Sequence, residues 1–203
     1  MVSVSNLKGM RIFNLTESSK IYTSNVYMVL GTWNTIADIN TLIDVGSDIS
    51  IIETIERMNT GLGKRKIDQV ILTHSHSDHT AILPEIKRMF NPRICAFNSH
   101  MKNIDQILRD GDVLRIGEQL FEVFHITSHS YDSICLFGDD DSILFSGDTS
   151  FPIEFENDLL KKENEQVLLR LKEKNIRLMY SGHGNAHEYA NSQFQIISSK
   201  ENA

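Results

Sequence analysis

The sequence predicts an α/β protein made of two β-sheet halves with helices outside them, on three observations. Short β-branched or aromatic runs fall into two clusters, at residues 11–90 and 93–190, and each cluster is followed by a helical pattern. The 203 residues, 40% of them hydrophobic, suffice for one substantial core, so a single domain over 1–203 is expected.

Residues 11–15, 26–30 and 41–44 are separated by Gly, Asn and Ser and read as antiparallel strands. Asp48 is expected to cap a helix in which Ile49, Ile52, Ile55, Glu56 and Met58 keep a helical repeat, with Gly61 and Gly63 ending it. Residues 67–73 form the next strand and 80–90 the next helix, stopped by Asn91-Pro92, and 93–97 are again a strand. Asp110-Gly111-Asp112 turns the chain into strands at 113–116, 120–126, 133–137 and 142–145, the last two joined by Gly138-Asp139-Asp140-Asp141. A long helix is expected over 157–175, with Leu159, Val167, Leu168 and Leu171 on one face, before a final strand at 176–180.

A net charge of -7 argues against long RNA or DNA as a partner, because such binding rests on Lys and Arg neutralising phosphates. Lys64-Arg65-Lys66 reads as a solvated turn. No basic-then-apolar leader opens the sequence, and no apolar run approaches the roughly 18 residues that cross a bilayer. A soluble cytoplasmic protein without a membrane partner is therefore expected. Cys95 and Cys135 lie in apolar strand contexts and are expected as free, buried thiols.

The chemistry concentrates in His74-Ser75-His76-Ser77-Asp78-His79, directly after the apolar run Val70-Ile71-Leu72-Thr73. Imidazole and carboxylate donors suit zinc, iron or manganese, and a strand end holds them at fixed angles. A solvated His-rich turn is the plainer alternative, but this spacing arises by chance in roughly one chain per thousand. Three more loops of small residues follow apolar runs and carry a further His or Asp: Thr127-Ser128-His129-Ser130, Ser146-Gly147-Asp148-Thr149 and Ser181-Gly182-His183-Gly184. Small neighbours let a loop approach a cation closely. His187, His125 and His100 read as a surface, a strand and a loop histidine with no assigned task.

The series H-x-H-x-D-H, then His129, Asp148 and His183, resembles the metallo-β-lactamase superfamily over residues 11–187. Leu42-Ile43-Asp44-Val45-Gly46 is similar to that family's strand ending in Asp-x-Gly, and Asp110-Gly111-Asp112 precedes the strand pair leading to His129. The resemblance implies a four-layer αββα sandwich with mixed sheets and outer helices. It also implies two zinc ions, with iron or manganese as substitutes. His74, His76 and His129 would hold one, Asp78, His79 and His183 the other, and Asp148 would bridge them. A hydroxide between two such ions would be the nucleophile, with Asp78 orienting it and Asp44 supporting a ligating imidazole from behind.

Within the superfamily, Ser146-Gly147-Asp148-Thr149-Ser150-Phe151 looks like the Gly-Asp-Thr-Leu-Phe segment of glyoxalase II and of persulfide dioxygenases. Pro152-Ile153-Glu154-Phe155 then replaces their glycine- and arginine-rich continuation, and no substrate-binding domain is expected after His183. Phe151 stands near where lactonases carry a Tyr, and Thr80-Ala81 where many relatives have Gly-Gly. The leading expectation is a hydrolase of a small ester, thioester, lactone or phosphodiester. The alternatives are an oxidoreductase with a single iron on His74, His76 and His129, and an idle metal-binding protein. The loops at 80–112 and 150–175 are too short for a large lid, so the site is expected to be open or completed by a second copy in a homodimer.

Overall fold

A computed structural model of the chain describes residues 3–32, 37–190 and 194–198. Its first half contains β1 (Ser3–Leu7), β2 (Met10–Asn14), β3 (Tyr27–Leu30), β4 (Thr41–Ile43), α1 (Ile51–Arg57), β5 (Gln69–Ile71), α2 (Ser77–Thr80), α3 (Leu83–Phe90), β6 (Arg93–Ala96) and β7 (Gln106–Ile107). The second contains β8 (Val113–Ile116), β9 (Gln119–His125), β10 (Ile134–Gly138), β11 (Ile143–Gly147), β12 (Ile153–Phe155), α4 (Asp158–Glu163), α5 (Glu165–Lys172), β13 (Leu178–Ser181), β14 (His187–Glu188) and β15 (Ile196–Ser198).

The strands of the first half pair in chain order from β1 to β7, and those of the second pair in the order β14-β13-β11-β10-β9-β8, with β12 and β15 forming a separate ribbon. Alternation along each strand sorts the core into three seams. Tyr27, Val29, Ile43 and Ile71 of one sheet meet Phe121, Val123, Leu136 and Phe145 of the other. Their even-numbered neighbours Met28, Leu30, Leu42 and Val70 turn outward onto Ile51, Ile55, Leu83 and Ile86 of the helices. Phe124, Cys135, Phe137 and Leu144 likewise face Val167, Leu168 and Leu171 of α5. Helix, sheet, sheet and helix therefore stack as the αββα sandwich that the family resemblance implies.

Several expectations shift. The division between sheets falls after β7 rather than at residues 91–92, because β6 pairs in parallel with β5, Gln69 opposite Arg93 and Ile71 opposite Cys95. A parallel neighbour needs a crossover, which α2 and α3 supply. The first helix starts at Ile51; Asp48 instead accepts the Ser50 N–H at 3.0 Å and the Ser19 hydroxyl at 2.6 Å, forming a turn ahead of the helix, and Ile49 is exposed. The helix expected over 80–90 begins as a short turn within the His loop and restarts at Leu83 with Pro84 in its first turn; Asn91, left-handed at φ 46°, ends it as anticipated.

The long helix over 157–175 is broken at Asn164 into α4 and α5. The buried Asn164 side chain donates to Thr127 Oγ1 at 2.7 Å and accepts the Thr127 N–H at 3.0 Å, so the break fastens the loop that carries His129. The change of direction leaves Leu159 66% exposed, while Val167, Leu168 and Leu171 are buried as expected. Cys95 and Cys135 are buried free thiols, and burial raises them to about 11 and about 12. Lys64 of the basic triplet forms an ion pair with Asp38. Among the described residues no helix is long and apolar enough to cross a membrane.

Phe145 sits fully buried between the two sheets, its ring 5.6 Å from that of Tyr27 and 5.2 Å from that of Tyr180. Phe145→Ala should cost about 3–5 kcal/mol in urea unfolding, whereas Leu159→Ala should stay within about 0.5 kcal/mol. Equal effects of the two would contradict the exposure of Leu159.

Candidate metal centre

Five strand ends share one rim. β4 and β5 are parallel neighbours; β9 and β11 both flank β10 antiparallel, and β13 runs parallel to β11, so these five deliver their C-terminal loops together. Backbone bonds join the two halves along that rim, the Ile134 N–H donating to the Thr73 carbonyl at 2.9 Å and the Asn25 N–H to Gly182 at 2.6 Å, while the Ser24 N–H ties the loop after β2 to the Asp78 carbonyl at 3.0 Å. The Tyr27 hydroxyl and the Asn25 amide both donate to the Ser181 carbonyl, at 2.8 and 2.9 Å. The His129 loop is held from beneath by the buried Asp132, which accepts from Ser130 Oγ at 2.8 Å and from Asn98 Nδ2 at 3.2 Å.

The rim gathers the seven sequence-derived ligand candidates. His74, His76 and His129 form one group, Asp78, His79 and His183 a second, and His74, His79 and Asp148 a third; within each, one donor atom per residue lies within 4.8 Å of the others. Asp148 is central: its Oδ1 is 3.2 Å from His79 Nε2, and its Oδ2 is 3.5, 3.6 and 3.9 Å from Nε2 of His183, His129 and His74. His183 Nε2 is also 3.1 Å from Asp78 Oδ2, and His129 Nε2 is 3.0 Å from His76 Nδ1.

Behind them stands Asp44, 2% exposed and at φ 58°. Its Oδ1 accepts the Thr73 N–H at 2.8 Å; its Oδ2 accepts the Thr73 hydroxyl and His79 Nδ1–H, each at 2.8 Å. With the Thr73 proton committed to Asp44, Nδ1–H of His74 donates to Thr73 Oγ1 at 3.2 Å. This network occupies Nδ1 of both imidazoles and turns Nε2 of each toward Asp148. Those two Nε2 atoms and Asp148 Oδ1 are buried and have no hydrogen-bond partner. Orphaned buried polar atoms converging from three loops, all of them imidazole or carboxylate donors, fit a divalent cation.

The electrostatics follow from the crowding. Burial pushes the His79 imidazole down, but the Asp44 and Asp148 carboxylates outweigh it and hold it at about 10. His74, lowered first by burial and then by charge on His79, falls to about 4. Burial opposes the Asp148 charge as well, yet His79 keeps that carboxyl at about 2.

Glycines open the necessary space. A Cβ on Gly182 would collide with Asp148 Oδ1 and come 2.8 Å from His79 Cε1, and one on Gly147, at φ +52°, would lie 2.8 Å from the Thr73 side chain. Three residues at the site went unassigned in the sequence. Thr73 ends a strand, and Asn25 and Tyr22 lie in the loop between β2 and β3, where the Tyr22 ring stacks on His183 at 5.5 Å. Only adjacency to His74 could have singled out Thr73; the other two contacts are nonlocal. His187 is exposed as expected but also lines an open cleft of about 310 Å³ with His129, Asp148 and His183. His125 faces the space between the sheets, stacked on Phe97 at 3.6 Å.

A family model described as the metallo-beta-lactamase superfamily matches residues 22–104 and 97–183. Hydroxyacylglutathione hydrolase of Chromohalobacter salexigens is 31% identical over 112 residues, which cover 54% of this chain and 42% of that protein. Atrochrysone carboxyl ACP thioesterase of Cryptosporiopsis is 28% identical over 117 residues, 53% of this chain and 36% of that one. The chain thus spans less than half the length of these two relatives. In structure, a beta-lactamase domain protein from Burkholderia ambifaria superposes with a TM-score of 0.67 at 18% identity, over 94% of this chain and 70% of that one. The family match runs through every strand end of the rim, and the chain belongs to the metallo-beta-lactamase superfamily.

Proposed function

We propose that the chain is a hydrolase of a small acyl ester or thioester that works with two zinc ions. His74, His76 and His129 would hold one, Asp78, His79 and His183 the other, and Asp148 would reach both. The observation that carries this reading is the pair of ligand groups meeting at Asp148 with three orphaned buried atoms. Bound there, the cations would supply Lewis acidity toward the scissile carbonyl and lower the pKa of water near it.

The chain's own residues do the rest. Asp44 and Thr73 engage Nδ1 of His79 and His74, which leaves Nε2 of each as the nitrogen a cation would take, and Gly182 keeps space open beside Asp148. Asp78, with its side chain 16% exposed, can orient the attacking water and take its proton. The acyl–oxygen or acyl–sulfur bond breaks, the water oxygen joins the acyl carbon, and the proton follows the alcohol or thiol. Two relatives named as a hydroxyacylglutathione hydrolase and a thioesterase support an acyl thioester as the bond cleaved. A single iron on His74, His76 and His129 would leave the group of Asp78, His79 and His183 without a task, which favours two cations. The buried free thiols suit a reducing compartment, and we assign the enzyme to the cytoplasm.

Elemental mass spectrometry of the purified protein should find about two zinc ions per chain. Chelation should abolish thioester hydrolysis, and added zinc should restore it. One iron per chain with oxygen uptake would overturn the reading. Thr73→Val should weaken zinc binding about 10–100-fold against a competing chromogenic chelator, with unchanged circular dichroism. Unchanged affinity would show that Thr73 does not orient His74. Gly182→Ala should fold yet lose at least about tenfold in activity, because the added methyl displaces Asp148.

A further inference from the structure

The cleft beside the proposed centre has walls of a distinct character. Thr149, Phe151, Met179 and His187 line it next to Asp148 and His183, and among the described residues the lining includes no Lys or Arg. Phe151 is braced edge-on by Tyr189 at 5.7 Å and by Phe194 at 6.0 Å. Outside this lining, Tyr22 lies nearly parallel to the ring of His183, which does line the cleft, with 20° between planes and 77% of its surface exposed. Exposed Glu17 and Lys20 on the same loop offset each other in charge.

Resting on the hydrolase reading, we infer that this cleft selects an uncharged acyl thioester, holding its apolar arm on Phe151 with the exposed Tyr22 ring beside His183 as a further apolar contact, over a thioester whose carrier bears carboxylates. Proteins hold carboxylates with Arg, Lys or clustered backbone N–H groups, and binding sites fix orientation with a few such polar anchors. Apart from the His187 imidazole, these walls offer an aromatic face, a thioether and short hydroxyls. The reacting carbonyl would sit at the ligand residues, and a carboxylate farther along a carrier would need its own cation on the wall. The chain's net charge of -7 adds a general repulsion of anions. A cleft of about 310 Å³ also sits at the small end of ligand sites, enough for a short apolar arm.

The test uses the zinc-loaded full chain and pairs of thioesters with the same acyl group, one on N-acetylcysteamine and one on glutathione. The neutral thioester should be favoured in kcat/KM by about tenfold or more. Tyr22→Ala and Phe151→Ala should each raise its KM about fivefold with kcat nearly unchanged, and weaken calorimetric binding of the non-hydrolysable S-alkyl N-acetylcysteamine to the same degree. Preference for the glutathione thioester, or variants with unaltered KM and affinity, would overturn the inference and leave the hydrolase reading standing. If the loaded protein cleaves neither thioester, both fall.

Discussion

The buried carboxylate of Asp44 is the constraint around which the rim is organised. A charge removed from water must be compensated by hydrogen bonds, and this one is, by the Thr73 N–H, the Thr73 hydroxyl and His79 Nδ1. Reaching all three requires the chain to leave β4 with a left-handed residue, at φ 58°, a conformation that non-glycine residues resist. Gly46, at φ +70°, completes the turn, and both Val45 and Gly46 N–H groups donate to the His79 carbonyl, at 2.9 and 3.0 Å. One residue thus joins the ends of β4 and β5, anchors the turn bearing His79 and sets the direction in which two imidazoles face.

The sandwich supplies what Asp44 cannot, a floor that does not move. Each sheet is clamped between the inter-sheet seam and its own helices, so the strand ends are fixed to the accuracy of a close-packed core. The rim itself carries opposing costs: orphaned nitrogens on His74 and His79, and a partly buried Asp148 surrounded by imidazoles. A cation would give those buried nitrogens and the carboxylate a shared partner. Folding and metal loading would then be linked, with the strain of the cluster returned as affinity.

The parts legible in the sequence are those that local chemistry writes down. The spacing from His74 to His79, and His129, Asp148 and His183 in loops of small residues after apolar runs, were all readable, and the structure draws them within a few ångströms. Most strands and the helix stop at Asn91 were readable for the same reason. What escaped depends on partners far along the chain. Which sheet receives residues 93–96 is decided by parallel pairing with β5, and periodicity carries no record of a partner. Asn164 breaks a helix that its neighbours favour because its hydrogen bonds lie at Thr127. Thr73 looked like any β-branched strand residue, and its hydroxyl gained meaning only when Asp44 and His74 arrived on either side.

The Asn164 joint carries a consequence for how the molecule can diverge. No α4 side chain is fully buried and only Leu160 packs against the core, so most of that surface is open to drift, insertion or attachment of a neighbouring module. The residue at its C-terminal end is not, since it grips the loop from which His129 projects. Any lengthening of α4 by a fraction of a turn would rotate that grip and be felt on the opposite end of the loop. The outer layer is therefore tolerant up to one fixed point, and descendants of this chain are free to rebuild its exterior only by keeping residue 164 in phase with the centre.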